Sequence, residues 1–312
     1  MRNQTTDIGV YFLANDRVLD LTIAFLNSFR FWNPELPLCL IPYNESCDAV
    51  RALASHYRFS IYENADVLTD CDKRSLSFYP RVVGEFRKLA AWDGRFERFI
   101  YIDVDTVVLM NMDFVFKLLN RFEFINSHSN IASSRKYTWK DSIYAVETLS
   151  EEQIEYSANM GFIASRKGAL TQTDVDRAVR AAVGIKPHME TMCTDQPFMN
   201  FLVVTSKLRY TSISVLRSTG NFEYAEECWA GDENWIVQLN GRGYYAGEPK
   251  RVFFIHWAGQ WLPGEHSRQM SPDMNVRDNL KQGAIWRFYR YLESDVLMAA
   301  AEAKALPFEV LA

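Results

Sequence analysis

The sequence has no basic stripe, no cysteine pair at metal-binding spacing and no long apolar run. Each absence closes a class. The net charge is −5, from 34 Lys and Arg against 39 Asp and Glu, whereas a nucleic-acid surface needs clustered positive charge. No stretch approaches the ~20 consecutive apolar residues that span a bilayer. The opening Met1-Arg2-Asn3-Gln4-Thr5-Thr6-Asp7 lacks the apolar segment of a secretory signal. Five cysteines (Cys39, Cys47, Cys71, Cys193, Cys228) show no CxxC spacing and are odd in number. A disulfide framework is therefore not expected, and free thiols in a reducing compartment are. The expected location is the cytoplasm, with peripheral membrane attachment left open. Internal repeats, low-complexity tracts and linkers are also missing.

What is present is an ordinary globular mix. With 48% hydrophobic and 23% charged residues, the chain can build a large core. Its 312 residues are long for one typical domain and short for two. The first half alternates strand and helix patterns: Ile8–Leu13, Leu38–Ile41, Phe59–Tyr62 and Phe99–Ile102 as strands, and Val18–Phe31, Asp48–Tyr57 and Val82–Trp92 as helices. That order implies an α/β fold with a mostly parallel sheet flanked by helices. Strands are further expected at Phe122–Ile125, Gly161–Ala164 and Val252–Ile255, and helices at Asp174–Val183 and Asp195–Val204. The segment Ser218–Gly247 reads as a structured loop, and Val276–Ala305 as a helical tail. The division expected is a main domain at 1–265 and a C-terminal helical extension at 266–312. Ligands of such sheets bind beyond the carboxyl ends of the strands, which singles out the turns after Leu13 and Ile102.

The turn after Ile102 carries the strongest chemical signal. An apolar strand runs directly into Asp103-Val104-Asp105. Two carboxylates at a strand end can converge on one hard cation, completed by water and phosphate oxygens. Solvated turn aspartates would give the same tripeptide. A second apolar strand delivers His256 in Ile255-His256-Trp257-Ala258-Gly259. Alone it reads as a hydrogen-bonded histidine. With the two carboxylates it would complete a site for Mn²⁺ or Mg²⁺. Asn159-Met160-Gly161 precedes a strand, where glycine lets backbone approach a ligand and asparagine can bind hydroxyls. Thr194-Asp195-Gln196 precedes a helix and also reads as a plain N-cap.

As a set, these residues resemble glycosyltransferase family eight, the glycogenin-like nucleotide-diphospho-sugar transferases, and more closely the uncharacterised cyanobacterial sugar-transferase-like proteins. The resemblance runs over most of Asp7 to Pro263. It implies a GT-A (Rossmann-like) fold and sugar transfer from a nucleotide-diphosphate donor, by resemblance a UDP-sugar with retention of configuration, to an unknown hydroxyl acceptor. It further implies that Ala14, Asn15 and Asp16 hold the nucleoside and that Lys88 contacts the donor. Asp103, Asp105 and His256 would hold the metal, with Asp103 also at the donor. Asn159 and Gly161 would meet the donor sugar, Asp195 and Gln196 would face the reacting carbon, and Gly259 would close the site. Two positions depart from the family. Val18 stands where an aromatic stacks on the base, so selectivity for the base would come from edge contacts of Asn15 and Asp16, or be poor. Leu262 stands where a lysine grips the diphosphate, leaving Lys88, Arg87 or Arg268 as candidate cations. Aromatics crowd the stretch from Asn221 to Tyr245, and Trp257 and Trp261 follow. They read either as a cover over the sheet or as an acceptor platform, with Trp257 and Trp261 at the mouth of the donor site.

Two other classes share parts of the pattern. In a haloacid-dehalogenase-like phosphatase, Asp103 would be nucleophile and Asp105 general acid. That fold normally opens with its Asp-x-Asp and needs a later acidic pair, for which Asp232-Glu233 is the nearest candidate. A non-catalytic nucleotide-sugar binding protein would explain Leu262, but it has less need of a Lewis acid.

Overall fold

The computed structural model describes residues 6–220, 224–229, 236–239, 242–245, 251–258 and 282–293. In strand β1 (Thr6–Ala14), Val10, Phe12 and Ala14 enter one hydrophobic layer, and Tyr11 and Leu13 enter another. In β4 (Phe96–Ile102), Ile100 and Ile102 point one way and Phe99 and Tyr101 the other. Side chains alternate across a strand, and both faces here are apolar, so this sheet is covered on both sides.

With β2 (Leu38–Pro42), β3 (Phe59–Ile61), β6 (Phe124–Asn126), β7 (Phe162–Arg166) and β8 (Tyr210–Ser212), it has seven strands in the order β3-β2-β1-β4-β7-β6-β8. The first four are mutually parallel, and β7 runs antiparallel to both neighbours. The chain leaves β1 toward β2 and returns on its other side as β4, so the strand order reverses between β1 and β4. A ligand crevice belongs at that point.

The chain then departs from the plain α/β pattern. Strand β5 (Thr106–Val108) follows β4 at once but joins a second, five-stranded sheet. Its partner is β12 (Arg251–His256), antiparallel, with Thr106 opposite His256. β12 also pairs with β9 (Glu226–Trp229) in parallel and with β11 (Arg242–Tyr245) antiparallel, and β11 pairs with β10 (Ile236–Leu239). The segment expected to be loop thus contains three four-residue strands, too short for alternation to show.

Other boundaries shift for local reasons. The expected helix Asp48–Tyr57 is two short helices, Asp48–Ala52 and Ala54–Tyr57, separated at Leu53. The expected helix at Val82–Trp92 is a 3₁₀ stretch, Gly84–Asp93. An additional helix, Ala65–Leu76, is capped by the Asn64 side chain on the Val67 amide. Of its residues only Val67, Cys71, Arg74 and Ser75 are buried, which makes a thin apolar stripe. All five cysteines are free. The helix Gln282–Arg290 lies within the expected tail and packs on the helix Leu19–Trp32. There, Asn27 Nδ2 donates to the Tyr289 carbonyl at 2.7 Å and Trp32 Nε1 to the Tyr289 hydroxyl at 3.0 Å. The division at 265/266 falls outside the described residues. Among the described residues, no helix is long and apolar enough to cross a membrane.

Candidate active site

The last hydrogen bond of β4 carries the chain into the site. Asp103 N–H donates to the Gly161 carbonyl at 2.8 Å, extending the β4–β7 ladder by one residue. Two residues on, the Asp105 carbonyl accepts from Trp257 N–H at 2.8 Å, extending the β5–β12 ladder. The two carboxylates therefore straddle the seam between the sheets, each fixed by a different one. Register then brings His256 beside them. Its Nε2 is 3.2 Å from Asp105 Oδ1. Asp103, Asp105 and His256 each offer one ligand atom, and these atoms lie within 4.8 Å of one another. That spacing suits a cation bound by two carboxylates and one imidazole.

The imidazole is fully enclosed. Burial would push His256 down, but Asp105 and Glu227 outweigh it and hold the imidazolium well above its ordinary range. A cation on Nε2 would replace that proton, so binding would release a proton. Glu227 escaped the sequence reading. Its carboxylate, also fully buried, lies with Oε1 2.7 Å from His256 Nδ1. Burial would raise it, but His256 and the Ser127 hydroxyl hold it below its ordinary value. It stood in a segment taken for loop, and only the strand register of β9 reveals its direction.

Gly161 is required by crowding. A Cβ there would lie 2.4 Å from His256 Cε1, 2.9 Å from Asp103 Oδ2 and 3.0 Å from Asn159 Oδ1. Real carbon contacts essentially never come so close. The approach to Gly161 is pinned on every side. Asn159 Oδ1 accepts from Gly161 N–H at 2.7 Å. Asn200 clamps Ala158 through both its N–H and C=O, at 2.7 and 2.9 Å. Asn126 Nδ2 donates to the carbonyls of Asn159 and Phe162 at 2.9 and 3.0 Å. Just before this clamp Ser157 stands at φ 22°, a costly backbone for a non-glycine residue, and its hydroxyl donates to the Ile154 carbonyl. Gly161→Ala is expected to displace the imidazole and weaken Mn²⁺ binding by about tenfold or more, with the circular-dichroism spectrum unchanged. Unaltered affinity on titration would show that the ring has room to move.

Lys88 lies beneath the acidic group. It is 2% exposed, and its Nζ is 2.8 Å from Asp195 Oδ2 and 3.8 Å from Asp103 Oδ1. It also donates to the Met160 carbonyl at 3.2 Å. Burial would lower the ammonium, but Asp103 and Asp195 outweigh it and hold it above its ordinary value. For Asp195, burial dominates over the lysine and the carboxyl is pushed up to about 6. Tyr101 donates its hydroxyl to Asp103. Thr194, just before Asp195, has φ 44°, and Tyr79 holds its carbonyl at 2.6 Å. Gln196 Nε2 reaches the Tyr137 carbonyl at 3.2 Å and Thr138 Oγ1 at 3.3 Å.

The remaining positions divide clearly. Ala14 ends β1, and its carbonyl accepts from Tyr43 N–H at 2.9 Å. Asn15 Oδ1 accepts from Arg17 N–H at 3.1 Å, and Asp16 Oδ1 from Val50 N–H at 3.1 Å, so both shape the turn after β1. One candidate diphosphate cation is corrected. Arg87 is buried and committed to Asp72 at 2.7 Å and to the Pro42 carbonyl at 3.0 Å. Lys88 is paired with Asp195 and lies close to Asp103, so it steadies the acidic residues at the edge of the site. Trp257 is also corrected. Its ring is 0% exposed in the hydrophobic layer shared with Val107 and Phe254, so it is core and not an acceptor platform. Gly259, Trp261, Leu262, Arg268 and the pair Asp232-Glu233 lie outside the described residues.

No protein-family description and no curated protein matches the sequence. Solved structures do match. The chain is similar to the galactosyltransferase LgtC, solved with donor and acceptor sugar analogues, at TM-score 0.55 and 10% identity over 96% of this chain and 97% of that one. It is similar to the glycosyltransferase GlyE of Streptococcus pneumoniae TIGR4 at TM-score 0.50 and 12% identity, over 97% of this chain and 64% of that one. It covers 46% of the bifunctional glycosyltransferase WbbM, at TM-score 0.47, and so spans about half to two thirds of these last two proteins. Identities this low speak to architecture: the protein has the GT-A fold, a mixed, mostly parallel α/β sheet flanked by helices.

Proposed function

We propose that the protein is a metal-dependent glycosyltransferase that moves a sugar from a nucleoside-diphosphate donor to a hydroxyl acceptor. The observation that carries this reading is the convergence of Asp103, Asp105 and His256 beyond the carboxyl end of β4, beside the strand-order reversal where GT-A-like sheets can take a nucleotide. The resemblance in sequence points to the same residues. The likeness to LgtC, whose structure holds donor and acceptor analogues, agrees with that use of the fold.

Mn²⁺ or Mg²⁺ on these three residues would act as a Lewis acid on the departing diphosphate. The chain's own residues would do the rest. Asp103 and Asp105 would supply anionic oxygens and His256 a neutral nitrogen. Gly161, with no side chain, lets the imidazole and the Asp103 carboxylate close up against the backbone, and with Asn159 it would orient the donor sugar. Asp195 sits behind Asp103, joined to it by Lys88, and would steady the anionic side of the site and bind sugar hydroxyls. Gln196, at the start of the helix Gln196–Thr205, would lie near the anomeric carbon. We favour a UDP donor and retention of configuration on the resemblance alone. The turn after β1, with Asn15 and Asp16, would take the nucleoside.

The test is calorimetry with UDP. Affinity is expected to be at least about tenfold higher in Mn²⁺ than in EDTA, in keeping with metal-bridged phosphates. Equal affinity in both would sink the metal reading. Metal-dependent hydrolysis of a UDP-sugar would then separate an enzyme from a passive binder.

A further inference from the structure

Glu227 is a carboxylate with 0% exposure, and a buried charge persists only where partners meet it. Both of its oxygens are engaged. Oε1 accepts from Trp229 Nε1 at 2.7 Å and lies 2.7 Å from His256 Nδ1. Oε2 accepts from the Ser127 hydroxyl. These partners come from three places: β9, β12 and the end of β6. The parallel pairing of β9 with β12 sets Trp229 opposite His256 and Glu227 opposite Phe254. Glu227 is thus placed by backbone register and aimed by two further donors, before any contribution from the histidine.

An imidazole has two distinct nitrogens, and the hydrogen bond made by one decides what the other can do. With Nδ1–H given to Glu227, the Nε2 lone pair points to the opposite edge of the ring. On that edge lies Asp105, at 3.2 Å. Gly161 leaves no slack for the ring to turn, since even a Cβ there would strike Cε1.

We propose that Glu227 is the positioning residue of the site: it fixes the His256 ring and its tautomer so that Nε2 is presented to a cation held with Asp103 and Asp105. The proposal rests on the metal reading above. A carboxylate behind a metal-binding histidine orients the ring and raises its basicity, and its loss typically lowers metal affinity 10–100-fold. Glu227 touches neither donor nor acceptor in this role. It also ties the ligand-bearing strand of the smaller sheet to Ser127, the residue that follows β6 of the larger one, so the imidazole is referenced to both sheets that hold the carboxylates.

The test is Mn²⁺ titration followed by the EPR signal of the free ion, on wild type, Glu227→Gln and Glu227→Leu. Gln keeps the shape and can still accept from Trp229, so it isolates the charge. About tenfold weaker binding is expected for Glu227→Gln and up to about a hundredfold for Glu227→Leu. Wild type that binds Mn²⁺ while Glu227→Gln binds it equally well overturns the proposal alone. Wild type that fails to bind Mn²⁺ overturns the metal reading, and this proposal with it. If neither variant folds, ¹⁵N NMR of the wild type with Mg²⁺ and UDP decides. The chain has only 5 histidines, so the His256 signals can be picked out. A protonated Nδ1 and bare Nε2 are expected, and a protonated Nε2 overturns the assignment.

Discussion

Asp105→Asn is expected to lower kcat/KM for sugar transfer by about a hundredfold or more, on the order of 3 kcal/mol of transition-state stabilisation. Asn has the shape of Asp, and the backbone bond from Trp257 N–H to the residue-105 carbonyl does not depend on the side chain. The fold should survive. What is lost is one of the two anionic oxygens that would face a cation and His256. The measurement is the initial rate with a UDP-sugar panel across Mn²⁺ concentrations, with the Tm recorded in parallel. A rate within about threefold of wild type would show that Asp105 holds no cation in the reaction.

The second large effect is on stability. Lys88→Met should destabilise the protein by about 3–5 kcal/mol at pH 8, because it leaves the carboxylate of Asp195, 4% exposed, without its cation. Asp103 is more open and counts for less. The sign with pH follows from Asp195. Its folded-state pKa is raised, to about 6 from 3.8, so its protonated form favours the fold. That favour is full below the unfolded value and is lost as pH rises through about 6. Without Lys88 the carboxyl would rise further. The variant should therefore be mildly affected at pH 5 and severely at pH 8 in urea titrations. Asp195→Asn added to Lys88→Met should restore much of the loss. A deficit under about 1 kcal/mol that is flat with pH would mean that water reaches the pair.

How much of this was legible in the sequence depended on distance along the chain. β1, β2, β4 and the helix Leu19–Trp32 announce themselves because each carries its own apolar period. Asp103 and Asp105 were visible because their strand abuts them, and His256 for the same reason. Glu227 was not, since β9 is four residues long and lies among glycine, glutamate and aromatic residues that mimic a loop. Lys88 was noticed, but its pairing with Asp195 was not. Sequence shows a lysine ahead of the Asp-x-Asp strand, and only the 3₁₀ stretch Gly84–Asp93 shows it turned inward to Asp195. Trp257 misled in the opposite direction. Beside a ligand histidine an indole invites a role in binding, yet Trp257, just past β12, is wholly buried in the core. The mostly parallel α/β sheet was within reach because strands alternating with helices connect that way, and the GT-A form was implied by the resemblance of the motifs. The second sheet was not within reach, because β5 and β12 meet across roughly half the chain.

That late meeting also sets the order in which the site comes into being. Chains emerge from their N-terminus, and contacts distant in sequence close last because loop entropy must be overcome first. β1, β2 and β4 can assemble while β12 has yet to be made. During that interval Asp103 and Asp105 exist as a pair of acids with no imidazole between them. Lys88, a sequence neighbour from the segment just before β4, is already synthesised and able to face Asp103. The lysine is thus a countercharge for the half-built site, and the histidine is the closing part, arriving with the strand that zips β5 into the second sheet.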